Sequence, residues 1–145
     1  MAPDVAYVWR ILEPALATRG LLGGDLVLHD GQRTPRRDIA ESLVFAVVME
    51  RRAEARLADL TSERDRENVT AIRARFRQMA REFAFMLGLL PAERVKAAPV
   101  DVRGRDPEIA EWFGLDPDAF AVVIREALTM AEGESGRRWD QEEES

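Results

Sequence analysis

The sequence predicts an all-α protein: an N-terminal helix, a long antiparallel αα-hairpin, a small helix-turn-helix-like unit and a disordered acidic tail. Apolar residues recur at helical spacing in several segments, and capping residues, Gly and Pro separate those segments. Only "DLVLHDG", residues 25–31, has the character of a short strand or hairpin arm. The expected divisions are a hairpin oligomerisation core, a linker, the small helical unit and the tail, at residues 1–98, 99–106, 107–132 and 133–145.

Composition excludes several classes of function. The chain has 145 residues, which suits one compact unit with a core of its own. It has no cysteine and one histidine, so disulfides, thiolate nucleophiles and multi-histidine metal centres are excluded. The first residues lack the basic and apolar regions of a signal peptide, and no apolar run approaches the roughly 20 residues of a membrane span.

Charge is distributed unevenly along the chain. The net charge is −6, yet residues 61–98 carry 8 basic and 5 acidic side chains, whereas residues 99–145 carry 5 basic and 13 acidic ones. Of the 21 basic residues, 20 are Arg. Arginine binds phosphate with a planar, bidentate fork, although a GC-rich genome also explains the bias. The negative net charge of the chain therefore comes mainly from its C-terminal third, whereas its middle is mildly basic.

The first helix is predicted from "PDVAYVWRILEPALATRGLL". Its apolar residues fall at helical spacing and share one face. Pro14 lies within this pattern and predicts a kink or a break. Gly20 suits the C′ position of a helix end, with the two following leucines packing back.

The second helix is expected from about Pro35 to about Leu60, with Thr34 as its N-cap. Leu43 and Leu57 belong to an apolar seam of heptad spacing, in which Glu50 is a polar intruder. The stretch "IAESLVFAVVM" is apolar on more than one face, which predicts burial on two sides.

A third helix follows a polar break, "TSERDREN", in which Ser62 and Asp65 resemble a capping box. Because the link is short, helices two and three should form the antiparallel hairpin. The third helix contributes six residues to the seam, of which the last precedes the Gly88 stop: Val69, Ile72, Phe76, Met79, Phe83 and Met86.

The same helix carries a row of arginines at one helical spacing. Glu82 is the only acid between Asn68 and Leu90. Such a row is a suitable footprint for a phosphate backbone. The alternatives are a solvated face, or ion pairs between subunits with acids of helix two such as Glu50. The candidate DNA-binding residues are the members of this row, Arg66, Arg73, Arg77 and Arg81, together with Arg75, which flanks it.

Residues 107–131 fit the spacing of a helix-turn-helix, with Gly114 in the turn and apolar residues at the core positions. The would-be recognition helix exposes acidic and apolar residues and one basic residue, Arg125. One cation among acids attracts phosphate weakly. This surface favours a protein partner over the major groove of DNA.

A catalytic site is not indicated. "GLLGGD" lacks the Lys-Ser/Thr of a phosphate-binding loop. His29 is followed by Asp30, but no nucleophile is fixed nearby in the sequence. We therefore expect this pair to be an exposed part of a turn. We expect a non-enzymatic protein without cofactor or metal.

Two motifs point to a family. Residues 8–22 read W-x-x-L-x-P-x-L-x-x-x-G-x-L from Trp9 to Leu22, and "GLLPAER" reads G-L-x-P-x-x-R from Gly88 to Arg94. With the paired helices between them, these motifs resemble a branch of the small subunits of tailed-bacteriophage terminases. The resemblance covers roughly residues 5–98.

The resemblance implies a non-catalytic component of viral genome packaging. Such a subunit forms a ring-shaped homo-oligomer in the host cell cytoplasm, binds double-stranded viral DNA, and regulates the large subunit that holds the ATPase and nuclease. Trp139, the only aromatic residue of the charged tail, is the candidate contact with the large subunit. Two alternatives stay open: a dimeric helix-turn-helix regulator that binds DNA through residues 107–131, and a structural adaptor that binds no nucleic acid.

Overall fold

The computed structural model describes residues 1–95 and 102–133. It is mostly helical, which confirms the all-α prediction, with one small two-stranded sheet. Trp139 and residues 134–145 of the predicted tail lie outside the described residues. The elements are α1 (Pro3–Thr18), β1 (Asp25–Val27), β2 (Arg33–Pro35), α2 (Arg36–Leu57), α3 (Glu63–Met86), α4 (Ala92–Val95), α5 (Val102–Phe113) and α6 (Pro117–Gly133).

Helix α1 packs its predicted apolar face into the core, where Val8, Leu12 and Leu16 are fully buried. Pro14 does not break it: one continuous helix runs through to Thr18. Gly20 has φ +73° and the amide of Leu21 donates to the carbonyl of Leu16 at 3.0 Å. This is the predicted helix end, in which the left-handed glycine lets the next amide close over the last turn.

The segment after α1 forms a β-hairpin, as its strand character indicated. Strands β1 and β2 pair antiparallel, with Leu26 opposite Thr34. Thr34 is therefore a strand residue and not the predicted N-cap. Pro35 takes the N-cap position of α2, and the amide of Arg36 donates to the carbonyl of Gly24 at 2.9 Å. The sheet contact thus replaces a side-chain cap.

Helices α2 and α3 form the predicted antiparallel hairpin. Ser62 is the N-cap of α3, and its hydroxyl accepts from the amide of Asp65 at 3.4 Å. The helix begins at Glu63, so residues 63–68 are helical and the polar break is shorter than expected. Helix α2 is buried on two sides, as predicted: an unbroken run from Ala46 to Arg51 is buried.

The predicted seam is buried unevenly. Leu43 and Val69 are buried, whereas Leu57, Ile72, Phe76, Met79 and Phe83 are half-buried and Met86 is 37% exposed. A heptad pattern drifts by about 20° per heptad on a straight helix, so the packed line of α3 moves away from the later seam residues. It moves onto Ala80, Ala84 and Leu87, which are buried in their place.

The helices α5 and α6 form the predicted helix-turn-helix-like pair. The aromatic rings of Phe113 and Phe120 stack with centroids 6.5 Å apart. The pair does not form a core of its own, because its buried residues belong to one cluster with those of α1 and α2. Helix α5 begins at Val102, so residues 102–106 are not the linker that the sequence predicted. The acids of α5 explain this, since they bind arginines of the hairpin.

Candidate nucleic-acid interface

The arginine row of α3 lies along an edge of its packed face. At 100° per residue, the directions of Arg73, Arg77 and Arg81 around the helix axis lie within about 100° of those of the buried Ala80 and Ala84. The row is therefore not opposite the core, as a fully solvated stripe would be. Carboxylates of neighbouring helices reach part of it, and this divides the five predicted DNA-binding arginines into two groups.

Arg81 is buried within the protein. Only 3% of its surface is exposed, and its Nη1 lies 2.7 Å from both carboxylate oxygens of Glu108, which is 7% exposed. Its Nη2 donates to the carbonyl of Arg94. Arg81 thus joins α3 to α4 and α5, and its guanidinium is not available to phosphate in this structure.

Arg77 is bound in a similar way. Its Nε and Nη2 lie 3.4 Å from Oε1 of Glu50, whose side chain is fully buried. Glu50, the polar residue in the apolar seam of α2, therefore pairs with a guanidinium of α3 in the same chain rather than in a neighbouring subunit. Burial of the carboxylate makes the guanidinium necessary, because an unpaired buried charge is costly.

Arg66 is exposed but occupied. Its Nη1 donates to the carbonyls of Leu57 and Leu60, at 2.6 and 3.1 Å. These groups belong to the end of α2 and the link to α3, where helix carbonyls lack partners within the helix. Arg66 therefore closes the hairpin turn while keeping part of its surface in water.

Arg73 and Arg75 differ from the other three. Arg73 is half-buried and Arg75 is exposed, and neither side chain has a partner among the described residues. With Arg66 they are the members of the predicted set that DNA can reach. The candidate interface is thus smaller than the sequence indicated: Arg66 and Arg73 lie on one side of the N-terminal part of α3, whereas Arg75, about 200° around the helix from Arg73, lies on the other side.

Two further ion pairs, each with one buried partner, were not predicted from the sequence. Asp4 is fully buried in the first turn of α1, and Arg52 of α2 donates to it, with Nε at 3.1 Å from Oδ2. Arg51 contacts Asp106 of α5 and lies over the ring of Phe120 at 5.9 Å. A charged residue on an otherwise apolar helix face was the available signal, but it does not identify the partner.

The outward face of α6 is poor in positive charge, as predicted. Asp118, Val122 and Arg125 are exposed, while Ala121 is half-buried. Glu126 accepts a hydrogen bond from the hydroxyl of Tyr7, and this bond raises the pKa of Tyr7 above its usual 10.0, as do desolvation and the charge of the carboxylate. The face offers little attraction for a phosphate backbone.

His29 is exposed at the turn of the β-hairpin, next to Asp30, whose carboxylate accepts from the amide of Gln32 at 3.0 Å. The pair therefore has the turn geometry expected of it. Across the described ranges, no group of His, Cys, Asp and Glu side chains has the arrangement that holds a metal ion. Within the same ranges, no helix has the length and apolar character needed to cross a membrane.

No protein-family model, curated protein or solved structure matches this chain.

Proposed function

We propose that the protein is a non-catalytic small subunit of a phage terminase. In this role it binds double-stranded viral DNA as a ring-shaped homo-oligomer and regulates the large ATPase and nuclease subunit during genome packaging. The observation that carries the proposal is the pair of family-like motifs, which stand at either end of a long helical hairpin in the expected order.

The motifs have a physical role that supports this reading. In the first motif, Leu12 and Leu16 are fully buried and Gly20 ends α1. In the second, Gly88 ends α3 with φ +78°, and the backbone carbonyl of Arg94 receives the buried Arg81. Both motifs therefore contain residues that pack or end the helices beside the αα-hairpin. Residues with such a structural role are expected in a motif that a family shares.

DNA binding is assigned to the accessible arginines of α3. Within residues 1–95 and 102–133, Arg73 and Arg75 carry charges without partners. A repeated subunit multiplies such weak contacts because each further contact forms at a high effective concentration. This multiplication offsets the acidic net charge of the single chain. Large exposed apolar side chains, such as Phe45 and Phe85 at 41% and 47% exposure, support an oligomer.

The test for DNA binding compares two doubly substituted chains of equal net charge. Arg73→Gln with Arg75→Gln removes the two arginines of α3 that have no partner among the described residues, while Arg10→Gln with Arg125→Gln removes two exposed arginines elsewhere. We expect the first variant to lower affinity for double-stranded DNA roughly tenfold or more and to reduce the slope of log K against log salt by about 2. Equal affinity and slope in both variants would contradict the assignment.

The packaging role is tested with the large subunit. Its ATPase rate should change when the wild-type chain is added, and a chain truncated after Gly133 shows whether residues 134–145, with Trp139, make that contact. Native mass measurement adds the copy number: a large closed assembly supports the ring. A dimer that binds DNA without affecting any large subunit would instead indicate a regulator.

A further inference from the structure

A groove between α1 and α2 combines an apolar floor with two acids. Val5 is 2% exposed at its base, and Met1 and Phe45 line it at 65% and 41% exposure. Asp38 and Glu41 line the same groove, and neither carboxylate has a partner among the described residues. Exposed apolar side chains beside unpaired carboxylates fit a ligand that offers an apolar group and positive charge together.

A segment of this chain has that chemistry. The sequence "GRRWDQ" places Arg137 and Arg138 directly before Trp139. No other aromatic residue of the chain lies outside the described residues. The indole suits the apolar floor, because aromatic rings bury a large area and pack well against a second ring such as that of Phe45. The two guanidinium groups suit the two carboxylates, since such pairs form strong charge-assisted hydrogen bonds.

Helix α6 runs toward the end of α1 at which the groove lies. The guanidinium of Arg19, just after α1, donates to the carbonyl of Trp112 in the last turn of α5. The hydroxyl of Tyr7, in the first half of α1, donates to Glu126 in the second half of α6. The two helices are therefore antiparallel, and Gly133 lies toward the N-terminal end of α1.

The chain beyond α6 is long enough to reach the groove. At 100° per residue, Tyr7 and Val5 point about 200° apart around α1, so the groove lies on the side of α1 away from α6. A helix with its side chains is about 10–12 Å across. The segment from Gly133 to Trp139 can span about 20 Å when extended, which is enough to pass around the N-terminal end of α1.

We propose that residues 137–139 dock in this groove of the same chain. The Trp139 indole packs on the apolar floor, and the two arginines pair with Asp38 and Glu41. A partner that binds Trp139 has to displace it from the groove, so the contact limits access to the tail. Phe85 stays exposed for contacts between copies. The docked tail uses none of the accessible arginines of α3, and it does not depend on the terminase assignment.

Fluorescence quenching measures this contact in the isolated chain. Trp9 and Trp112 are 8% and 3% exposed, so acrylamide reaches mainly Trp139. Subtracting the signal of the Trp139→Phe variant isolates that side chain. We expect its quenching constant in the wild-type chain to be well below that of a synthetic peptide of residues 136–141, in which the indole is free in water.

Charge reversal on either side of the contact should release the tail. Asp38→Lys with Glu41→Lys should raise the Trp139 quenching constant to the value of the peptide, because like charges then oppose each other. Arg137→Glu with Arg138→Glu should have the same effect for the same reason. Combining the two reversals should restore the low wild-type value.

Two controls separate release of the tail from damage to the fold. Asp59→Lys with Glu111→Lys makes the same change of net charge at two exposed acids outside the groove and should leave the quenching constant unchanged. Asp38→Asn with Glu41→Gln keeps the size of the two side chains and removes only their charge. This variant should raise the quenching constant part of the way and keep the circular dichroism spectrum of the wild-type chain.

A disulfide identifies the occupant of the groove. The natural chain contains no cysteine, so Ser42→Cys in the groove and Asp140→Cys beside Trp139 introduce one thiol each. Mild oxidation of the doubly substituted chain should close an internal disulfide, seen as a faster-migrating monomer on a non-reducing gel. Ala17→Cys with Asp140→Cys places the first thiol at an exposed site near the other end of α1 and should not give that band.

Three outcomes would overturn the proposal: a wild-type Trp139 as accessible as in the peptide, reversals in the groove that leave its quenching unchanged, or disulfides that join two chains instead of closing within one. The last outcome would assign the groove to the tail of a second copy. None of these measurements requires DNA or a large subunit. Failure of the terminase assignment and failure of the docked tail are therefore recorded separately.

Discussion

The two halves of α3 use arginine in opposite ways. Toward the C-terminus, Arg77 and Arg81 are held by carboxylates of α2 and α5 and serve the fold. Toward the N-terminus, Arg73 and Arg75 have no partner among the residues that the structure describes. The arginines of one helix thus lie in two environments, and the difference is set by which neighbouring helix brings an acid within reach.

Ion pairs between helices also explain how the acidic C-terminal third of the chain is accommodated beside its basic middle. Asp106 and Glu108 of α5 contact Arg51 and Arg81 of the hairpin. Part of the charge asymmetry is therefore neutralised inside the protein rather than offered to a partner. The buried half of α3 should therefore matter for stability and the open half for binding.

The largest expected effect comes from Glu108→Ala. It leaves the Arg81 guanidinium buried without its carboxylate, which typically costs about 3–5 kcal/mol of unfolding free energy. Urea denaturation measures this. Glu111→Ala, an exposed acid on the same helix, is the control and should change stability by less than about 0.5 kcal/mol.

A second variant separates the ion pair from its burial. Replacing both partners, as in Arg81→Met with Glu108→Leu, removes the charges together and should recover most of the lost stability. If the double variant is no more stable than Glu108→Ala, the Arg81–Glu108 pair does more for stability than neutralise two buried charges. The assignment of the C-terminal half of α3 to stability through charge pairing would then need another explanation.

The next effect contrasts the two arginine groups within one helix. Arg77→Ala removes a donor from the fully buried Glu50, and we expect a loss of about 1–3 kcal/mol. Arg73→Ala removes a side chain that has no partner in the described part of the chain, and its effect should stay within about 0.5 kcal/mol. Equal losses for the two variants in thermal or urea unfolding would remove the distinction between the halves.

A smaller effect is expected where the paired half ends. Gly88 has φ +78°, and no atom approaches the position of an added Cβ within 4 Å, so Gly88→Ala tests backbone strain alone. The left-handed conformation should cost the alanine about 1–2 kcal/mol. Gly23→Ala, equally open and without a positive φ, is the matched control and should be close to neutral.

The smallest effect concerns an exposed contact between α1 and α6. Tyr7 is the only tyrosine, so absorbance at 295 nm follows its ionisation alone, and the midpoint should lie above pH 10.0. The raised pKa means that the bond to Glu126 stabilises the fold below pH 10 and is lost as pH rises through the folded-state pKa. Glu126→Gln should move the midpoint back toward pH 10. An unchanged midpoint would show that the Glu126 carboxylate does not raise the pKa of Tyr7.

Local signals in the sequence predicted much of the fold. Gly20 and Gly88 end their helices as expected, Ser62 is the N-cap of α3, and residues 25–31 contribute to the β-hairpin. These features were predictable because each depends on neighbours a few residues away. Thr34 failed as an N-cap for the opposite reason: a strand pairing with Leu26 competes with the local capping preference.

The candidate site was predicted less well. Helical spacing placed four of the arginines of α3 on one side, and it identified Glu50 as a polar residue in an apolar seam. It did not identify Glu108 as the partner of Arg81, since 27 residues separate them. An ion pair across two helices depends on how those helices cross, and no periodicity within one helix contains that information.

The sequence by itself determined the all-α class, the helical hairpin and the apolar faces, because each follows from spacing along a single element. Tertiary structure alone decided that α5 and α6 share the core of the hairpin and that their acids engage part of the arginine row. The physical reason is that burial and charge compensation are properties of packed neighbours, whereas periodicity is a property of one chain segment.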